Sequence, residues 1–306
     1  MKNTVAMTKS KITKAKTTNA EIVKLESSDP TFAVAFGGGG ARGLAHIHII
    51  EVLNELGITP VAISGSSIGS IMGASMASGM KGNEVRDFTL SVLTNRVEVM
   101  NRLWKLRPGG LGGLIGQGWK FSQFDIEKIV ESFVPQNLAR DFSELKIPFT
   151  AIATDYYGQK PHIMESGDLR SAISASAAIP GVFKPVKRNE RILIDGGICD
   201  PVPFEILAGK ADHIIAIDVV GFPDGDETKM PGTIDILFGT SQLMMQSIIS
   251  LKLKTGHPSI FLRPPVNDYR VLDFLKAKTI LERTATVRDE LKRAIEAVYQ
   301  HHGKGA

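Results

Sequence analysis

Cysteine is nearly missing from this 306-residue chain: Cys199 stands alone, which excludes an intrachain disulfide framework and any zinc site built on clustered cysteines. Long apolar runs are missing as well. No stretch reaches the roughly 18 apolar residues that argue for a transmembrane helix, and the longest candidate, Ile234–Leu253, is interrupted by Gln242, Gln246 and Lys252. Charge of one sign is also scarce. The net charge is +4, and part of it comes from Met1–Ala20, where Lys2, Lys9, Lys11, Lys14 and Lys16 face no acid. The rest of the chain is close to neutral, so there is no strong nucleic-acid signal. The tail lacks an apolar h-region and reads as a disordered basic leader over residues 1–30 rather than a secretory signal, with weak contact to an anionic membrane as its functional alternative. A cytoplasmic protein is expected, at most peripheral at a membrane through transient surface contact, with no nucleic-acid partner. Nothing in the sequence sets an oligomeric state.

What is present is a globular composition, 43% hydrophobic and 22% charged, which excludes wholesale disorder, together with an excess of glycine: 30 residues, against a usual ~7% of a chain. No Gly-X-Y period accounts for it. The glycines gather at a few places, and those places carry the argument.

Thr31–Phe36 is a short apolar run, as a buried strand requires, and it ends in Gly37-Gly38-Gly39-Gly40-Ala41-Arg42-Gly43. Leu44–Leu56 then has helical spacing and stops at Gly57; Val61–Ser64 reads as a second buried strand, turned by Gly65-Ser66-Ser67-Ile68-Gly69 into a helix over Ile68–Ser78. This βαβ beginning argues for an α/β fold, a parallel sheet with helices on both faces. Further helices are expected over 84–103, Asp125–Phe133, Asp168–Ser176, from Asp200 to Ala208, Ile234–Leu253 and Val271–Gln300. Strands are expected at Phe149–Asp155, Arg191–Asp195 and His213–Val219. Domain boundaries follow: a leader over 1–30, a main α/β domain over 31–208, and a C-terminal strand and helices over 209–306 packed on the same core.

The glycine loop fits Gly-x-Gly-x-x-Gly between a strand and a helix. Dinucleotide binding would need an acid at the end of the next strand, and Ser64 and Gly65 stand there instead. What remains is a set of bare backbone N–H groups at a helix N-terminus, suited to a phosphate or a developing oxyanion. Gly65-Ser66-Ser67-Ile68-Gly69 places Ser67 on a sharp strand-to-helix turn, as a nucleophile elbow does. No histidine ends a predicted strand where a triad would need one: His257 precedes Pro258, His301 and His302 are terminal, His46 and His48 lie on the first helix, and His162 and His213 have no motif around them. Asp195, closing Ile192-Leu193-Ile194 and followed by Gly196 and Gly197, is the better base, because burial would raise its pKa toward a useful value. Asp155 and Asp218 also end strands and are its rivals.

These motifs stand in a familiar order. The loop at 37–43, Gly-x-Ser-x-Gly at 65–69, Ala153-Thr154-Asp155, the stretch Ala172–Val186 and Asp195-Gly196-Gly197 with Pro201-Val202-Pro203 resemble the patatin-like phospholipase family, its bacterial branch in particular, from about Thr31 to Leu207. The resemblance implies a three-layer α/β/α sandwich with a mainly parallel central sheet. It implies a serine acyl hydrolase, of esterase, phospholipase A or lysophospholipase type, acting on lipid esters without metal or cofactor. Ser67 would be nucleophile and Asp195 the base of a dyad; N–H groups around Gly38, Gly39 and Gly40 would form the oxyanion hole; Arg42 would orient that loop or meet a phosphate headgroup; and Gly43, Gly65, Gly69, Gly196 and Gly197 would shape the turns. His48 stands where many relatives have glycine, with a consequence for packing or for the site. Residues 107–118, rich in glycine and flanked by Leu103, Trp104, Leu106 and Trp119, are the candidate lid. The alternative is a non-catalytic lipid- or phosphate-binding module on the same scaffold.

Overall fold

A computed structural model describes residues 29–94, 124–135, 137–225 and 228–302. All but the last two residues of the leader, and the proposed lid at 107–118, lie outside the described residues.

The chain begins as its hydrophobic pattern demands. Phe32–Phe36 (β1) is buried along its whole length because it lies between two parallel neighbours, Ala62–Ser66 (β2) and His213–Ile217 (β7), so it needs no polar face. Helices His46–Glu55 (α1) and Ile68–Ala77 (α2) follow β1 and β2. Then come Gly82–Leu93 (α3), Ile126–Phe133 (α4), Phe149–Asp155 (β3), Lys160–Met164 (β4), Leu169–Ser176 (α5), Val186–Arg188 (β5) and Arg191–Asp195 (β6). After β7 stand Thr233–Thr255 (α6), Ile260–Leu262 (β8), Ala277–Thr284 (α7) and Val287–His302 (α8).

The strands form one eight-stranded sheet in the order β5-β6-β3-β2-β1-β7-β8, with β4 paired to β3. The alternating residues of β1 show how helices cover both faces. Phe32, Val34 and Phe36 join the larger core with Ile47 and Ile50 of α1 and Met72 of α2; Ala33 and Ala35 face a smaller core with Val202, Phe204, Leu207 and Ile249 of α6. The three-layer α/β/α sandwich with a mainly parallel sheet is thus present, with β4 and β6 running antiparallel to β3.

β3 brings the site together. It pairs with β4 through Ala151–Asp155, with β2 through Phe149–Ile152 and with β6 through Ala153–Asp155. A strand has two edges, and β4 overlaps both other partners, so β2 and β6 share one edge in series. Ser66 is opposite Ile152 and Asp195 is opposite Ala153, the next residue. Two strands far apart in sequence therefore meet by their carboxyl ends.

Several expectations need correction. The helix expected from Asp200 to Ala208 is a single turn at Glu205–Leu207, because Pro201 and Pro203 withhold N–H donors. The helix expected over Val271–Gln300 is divided into α7 and α8 at Ala285 and Thr286. The first helix begins as a tight 3-10 turn at Gly40–Ala45.

His48 lies on the outer side of α1, away from the serine turn. Its Nε2 reaches the Leu281 carbonyl at 2.9 Å, and its Nδ1 lies 3.3 Å from Arg86 Nη2 and 3.6 Å from Glu51. Glu51 accepts both Arg86 bonds at 2.6 Å and one from Arg288, tying α1 to α3 and α8. Burial pushes the Glu51 carboxyl up, yet the nearby His48 ring, the bonds from Arg86 and the charges of Arg86 and Arg288 outweigh it and hold the group down at about 2. A depressed folded pKa stabilises above the unfolded value of ~4.3 and is lost as pH falls toward 2. Glu51→Gln should therefore lower Tm at pH 7 and flatten the loss of stability between about pH 4.5 and 2, which a thermal melt series would read.

Candidate active site

The turn after β2 holds Ser67 at φ 54° and ψ −126°, a conformation that costs of order 1–3 kcal/mol for a residue with a Cβ. Hydrogen bonds hold it there. The Ser67 N–H donates to Ser176 Oγ at 2.9 Å, and its carbonyl accepts from Ser70 N–H at 2.9 Å and Ser70 Oγ at 2.7 Å. The glycines of the motif allow the turn to close. A Cβ on Gly65 would lie 2.4 Å from the Gly69 carbonyl, and one on Gly69 would lie 2.1 Å from the Phe36 carbonyl of β1. Both contacts are to backbone that cannot move aside, so Gly65→Ala or Gly69→Ala should leave little folded protein in a solubility and thermal-melt assay.

Ser67 Oγ donates to Asp195 Oδ2 at 2.6 Å, and both residues are buried. The other carboxylate oxygen accepts the Gly197 N–H at 2.8 Å. Burial raises the Asp195 pKa from an ordinary 3.8 to about 6, against the bonds from Ser67 and Gly197, which lower it. Gly196 leaves room for the meeting of the two strands: a Cβ there would strike the Ile152 carbonyl and Ser66 Oγ. The rivals are engaged elsewhere. Asp155 accepts from Gly158 N–H and Arg191, and Asp218 from Val220 N–H, Gln246 and Arg263.

The glycine loop lies over the serine, since a Cβ on Gly38 would sit 3.2 Å from Ser67 Cβ. Its donors are not equivalent. The Gly38 N–H is spent on the Pro201 carbonyl at 2.9 Å, whereas the Gly39 and Gly40 N–H groups find no acceptor among the described residues. Gly40 adopts φ 59°, which glycine accepts without strain. Gly43 admits Ile68 against the loop; a Cβ there would lie 2.2 Å from Ile68 Cγ2. The Ile68 N–H, first in α2, also finds no acceptor among the described residues. In a nucleophile elbow this group faces an oxyanion.

Arg42 is buried and bound to backbone: Nε to the Tyr269 carbonyl at 2.7 Å and Nη1 to the Val220 carbonyl at 2.5 Å. Burial lowers its pKa to about 10, against the charge of Asp273. Of the two expected roles, its contacts fit orientation of the loop. His46 supports the same loop from beneath, its Nε2 2.8 Å from the Gly37 carbonyl. Burial lowers its pKa to about 4, so it is neutral, and the carbonyl partner assigns the proton to Nε2.

Ser176 is the residue that motif reading passed over, although it lies inside the recognised stretch Ala172–Val186. Its hydroxyl accepts the Ser67 N–H and donates to the Ile152 carbonyl at 2.5 Å. Ser176→Ala would leave both groups unpaired, at a cost of about 1–3 kcal/mol in stability and roughly tenfold or more in turnover through a looser Ser67. Denaturant titration and steady-state kinetics check the two parts.

Among the described residues, no group of three or more His, Cys, Asp or Glu side chains is placed to hold a metal ion. A surface cleft of about 730 Å³, lined in part by His213, Phe261 and His301, opens at the amino end of β7. That is the opposite end of the sheet from Ser67.

Residues 34–208 match the family described as Patatin-like phospholipase. An uncharacterized NTE family protein of Mycobacterium bovis is 37% identical over 200 residues, 65% of this chain and 52% of that protein. The lysophospholipase NTE1 of Eremothecium gossypii is 26% identical over 291 residues, 83% of this chain and 18% of that protein. Patatin-like phospholipase domain-containing protein 7 of the mouse is 26% identical over 278 residues, 82% and 20% respectively. The chain thus spans about half the length of the mycobacterial relatives and less of the others. Among solved structures, VipD from Legionella pneumophila superposes with a TM-score of 0.43 at 12% identity, over 84% of this chain and 67% of that one.

Proposed function

We propose, for a chain that belongs to the patatin-like phospholipase family, that it hydrolyses carboxylic esters of lipids with Ser67 as nucleophile and Asp195 as base. The observation that carries this reading is the 2.6 Å bond from Ser67 Oγ to a carboxylate whose pKa is raised to about 6. An ordinary aspartate is too weak a base to take a serine proton; a desolvated one is closer to the task.

In the first step Oγ attacks the acyl carbon, its proton passes to Asp195 Oδ2, and the carbonyl electron pair moves onto oxygen. The N–H groups of Gly39, Gly40 and Ile68, which find no acceptor among the described residues, are the donors available to that oxyanion, and one such donor is typically worth ~2.7–4 kcal/mol. Collapse breaks the ester C–O bond, and the departing alcohol or lysolipid takes the proton from Asp195. Water then attacks the acyl-serine, gives a proton to Asp195, and the free acid leaves as Ser67 recovers its hydrogen. An alkoxide is a better leaving group than an amide nitrogen and needs less help from proton transfer, so a dyad with a weak carboxylate base suits esters over amides. The names of the curated relatives make lysophospholipids and phospholipids the first substrates to try.

Asp195 must be ionised to act, so kcat/KM should fall with an acid limb near pH 6, and a pH-rate profile on a short p-nitrophenyl ester would display it. A panel of phospholipid, lysophospholipid and p-nitrophenyl esters tests the reading as a whole. Turnover on at least one supports it; lipid binding with no turnover on any supports the non-catalytic module instead.

A further inference from the structure

α6 carries its apolar residues on the wrong side for a helix facing water. The docked face includes Gly239, Gln242, Gln246 and Ile249. Both glutamines are held: Gln242 Nε2 donates to the Val220 carbonyl at 3.1 Å and Gln246 Nε2 to Asp218 Oδ2 at 3.1 Å. Lys252 Nζ reaches Asp200 Oδ1 at 2.5 Å. On the outward face Leu243, Met244 and Leu251 are 55%, 61% and 61% exposed, with Ile234, Ile236 and Leu237 exposed ahead of them. No charged residue occurs from Ile236 to Leu251. A helix packed on a globular core normally places its charges there.

The helix has 23 residues and an 18-residue window of mean hydropathy 1.2, so it is long and apolar enough to cross a membrane. Crossing would strip Gln242, Gln246 and Lys252 of the partners just named. Lying along an interface keeps every one of those bonds and covers only the outward face. The helix also borders the site. A Cβ on Gly197, two residues past Asp195, would lie 3.1 Å from Met245 Sδ, and one on Gly181 would lie 3.9 Å from Leu237 Cδ2. Two exposed cations stand near the apolar face: Lys254 on its last turn, and Lys184 three residues past Gly181, whose loop meets Leu237.

We propose that the outward face of α6 is the surface by which this chain lies on an anionic lipid bilayer, with the Ser67 turn beside the point of contact. The inference rests on the lipid-ester reading of that site. The two lysines complement lipid phosphates, and the uncharged ridge suits the acyl boundary beneath. A bilayer covers the same face while delivering the ester.

The test uses the full chain carrying Ser67→Ala, so that no lipid is consumed, and co-sedimentation with vesicles of phosphatidylcholine alone or mixed with phosphatidylserine. Binding to the mixed vesicles is expected. Leu243→Ser, Met244→Ser and Leu251→Ser together should weaken it at least about tenfold, and Lys184→Glu with Lys254→Glu should abolish the preference for phosphatidylserine. In the active chain the triple serine variant should keep its rate on a soluble p-nitrophenyl ester and lose about tenfold or more on vesicle lipid. The proposal is overturned if Ser67→Ala does not bind vesicles, or if the triple variant binds as well as its parent. It is also overturned if the chain sediments as a dimer that the triple variant dissociates, which would give the face to a second copy. Failure of a maleimide to label Met244→Cys, in a Cys199→Ala background without vesicles, would give it to another part of this chain and overturn it too. If the vesicle results are as expected while no ester is ever hydrolysed, the surface stands and the reading of the site fails.

Discussion

Ser67→Ala is expected to lower kcat/KM for ester hydrolysis by about 10⁴-fold or more, in a protein that still folds. The size follows from chemistry: removal of a nucleophile that works as a unit with its base leaves only the hole and the binding contacts, a residue of catalysis ~10³–10⁴-fold over water. The retained fold follows from structure. Among the described residues Ser67 Oγ bonds only to Asp195, so alanine leaves that buried carboxylate one partner short, at a cost of about 1–3 kcal/mol, while the backbone turn is held by Ser176 and Ser70 through main-chain atoms that alanine retains. The variant still occupies φ 54°, which alanine tolerates about as poorly as serine, so the strain is common to both. Steady-state kinetics beside a melt separate the two readouts.

Asp195→Asn should also inactivate, by about 10³-fold or more, and in addition should stabilise the protein above pH 6. Burial raises the folded pKa from 3.8 to about 6, so the fold favours the protonated carboxyl. Such a group contributes its stability below the unfolded value, and the contribution is lost as pH rises through about 6. Two units correspond to about 3 kcal/mol, and because Asp195 is 6% exposed solvent screening removes little of it. Asparagine stays neutral, retains an oxygen for the Gly197 N–H and can donate its amide to Ser67 Oγ. The expected result is a melting temperature a few degrees above wild type at pH 8, with the difference vanishing near pH 3.5. A variant that loses activity and gains stability would mark a strained functional group; a variant destabilised at pH 8 would show that its bonds outweigh its desolvation.

Much of this was legible in the sequence because local rules decide it. A strand ending in glycines, a helix stopped at Gly57 and a serine between Gly65 and Gly69 specify β1, α1, β2 and α2 by short-range pattern. The helix at Leu169–Ser176 and the strands Phe149–Asp155 and Arg191–Asp195 follow the same logic. What the sequence withheld depends on long-range pairing. The Asp-Gly-Gly turn singles out Asp195 over Asp155 and Asp218, yet the way it reaches Ser67, through β2 and β6 sharing one edge of β3, is something no local pattern encodes. β5 and β8, at three residues each, are too short for a periodic signal, and β4, Lys160–Met164, is a mostly exposed edge strand that carries Lys, Pro and His in place of an apolar run.

α6 shows a different limit. Its helical character was readable, but Gln242, Gln246 and Lys252, which look like interruptions of an apolar run, are residues by which it docks. Periodicity alone does not tell which face turns inward when polar groups have buried partners waiting. The glycine loop is similar: four consecutive glycines look interchangeable, yet only the fold spends the Gly38 N–H on Pro201 and leaves those of Gly39 and Gly40 without an acceptor among the described residues.

The most direct measurement is reaction of the wild-type chain with a fluorophosphonate, followed by intact-mass and peptide mass spectrometry. One covalent adduct per chain is expected, on the peptide containing Ser67, with labelling lost in Ser67→Ala and slowed in Asp195→Asn. Labelling confined to another serine, or a folded protein that hydrolyses esters while Ser67 stays unmodified, would contradict the account.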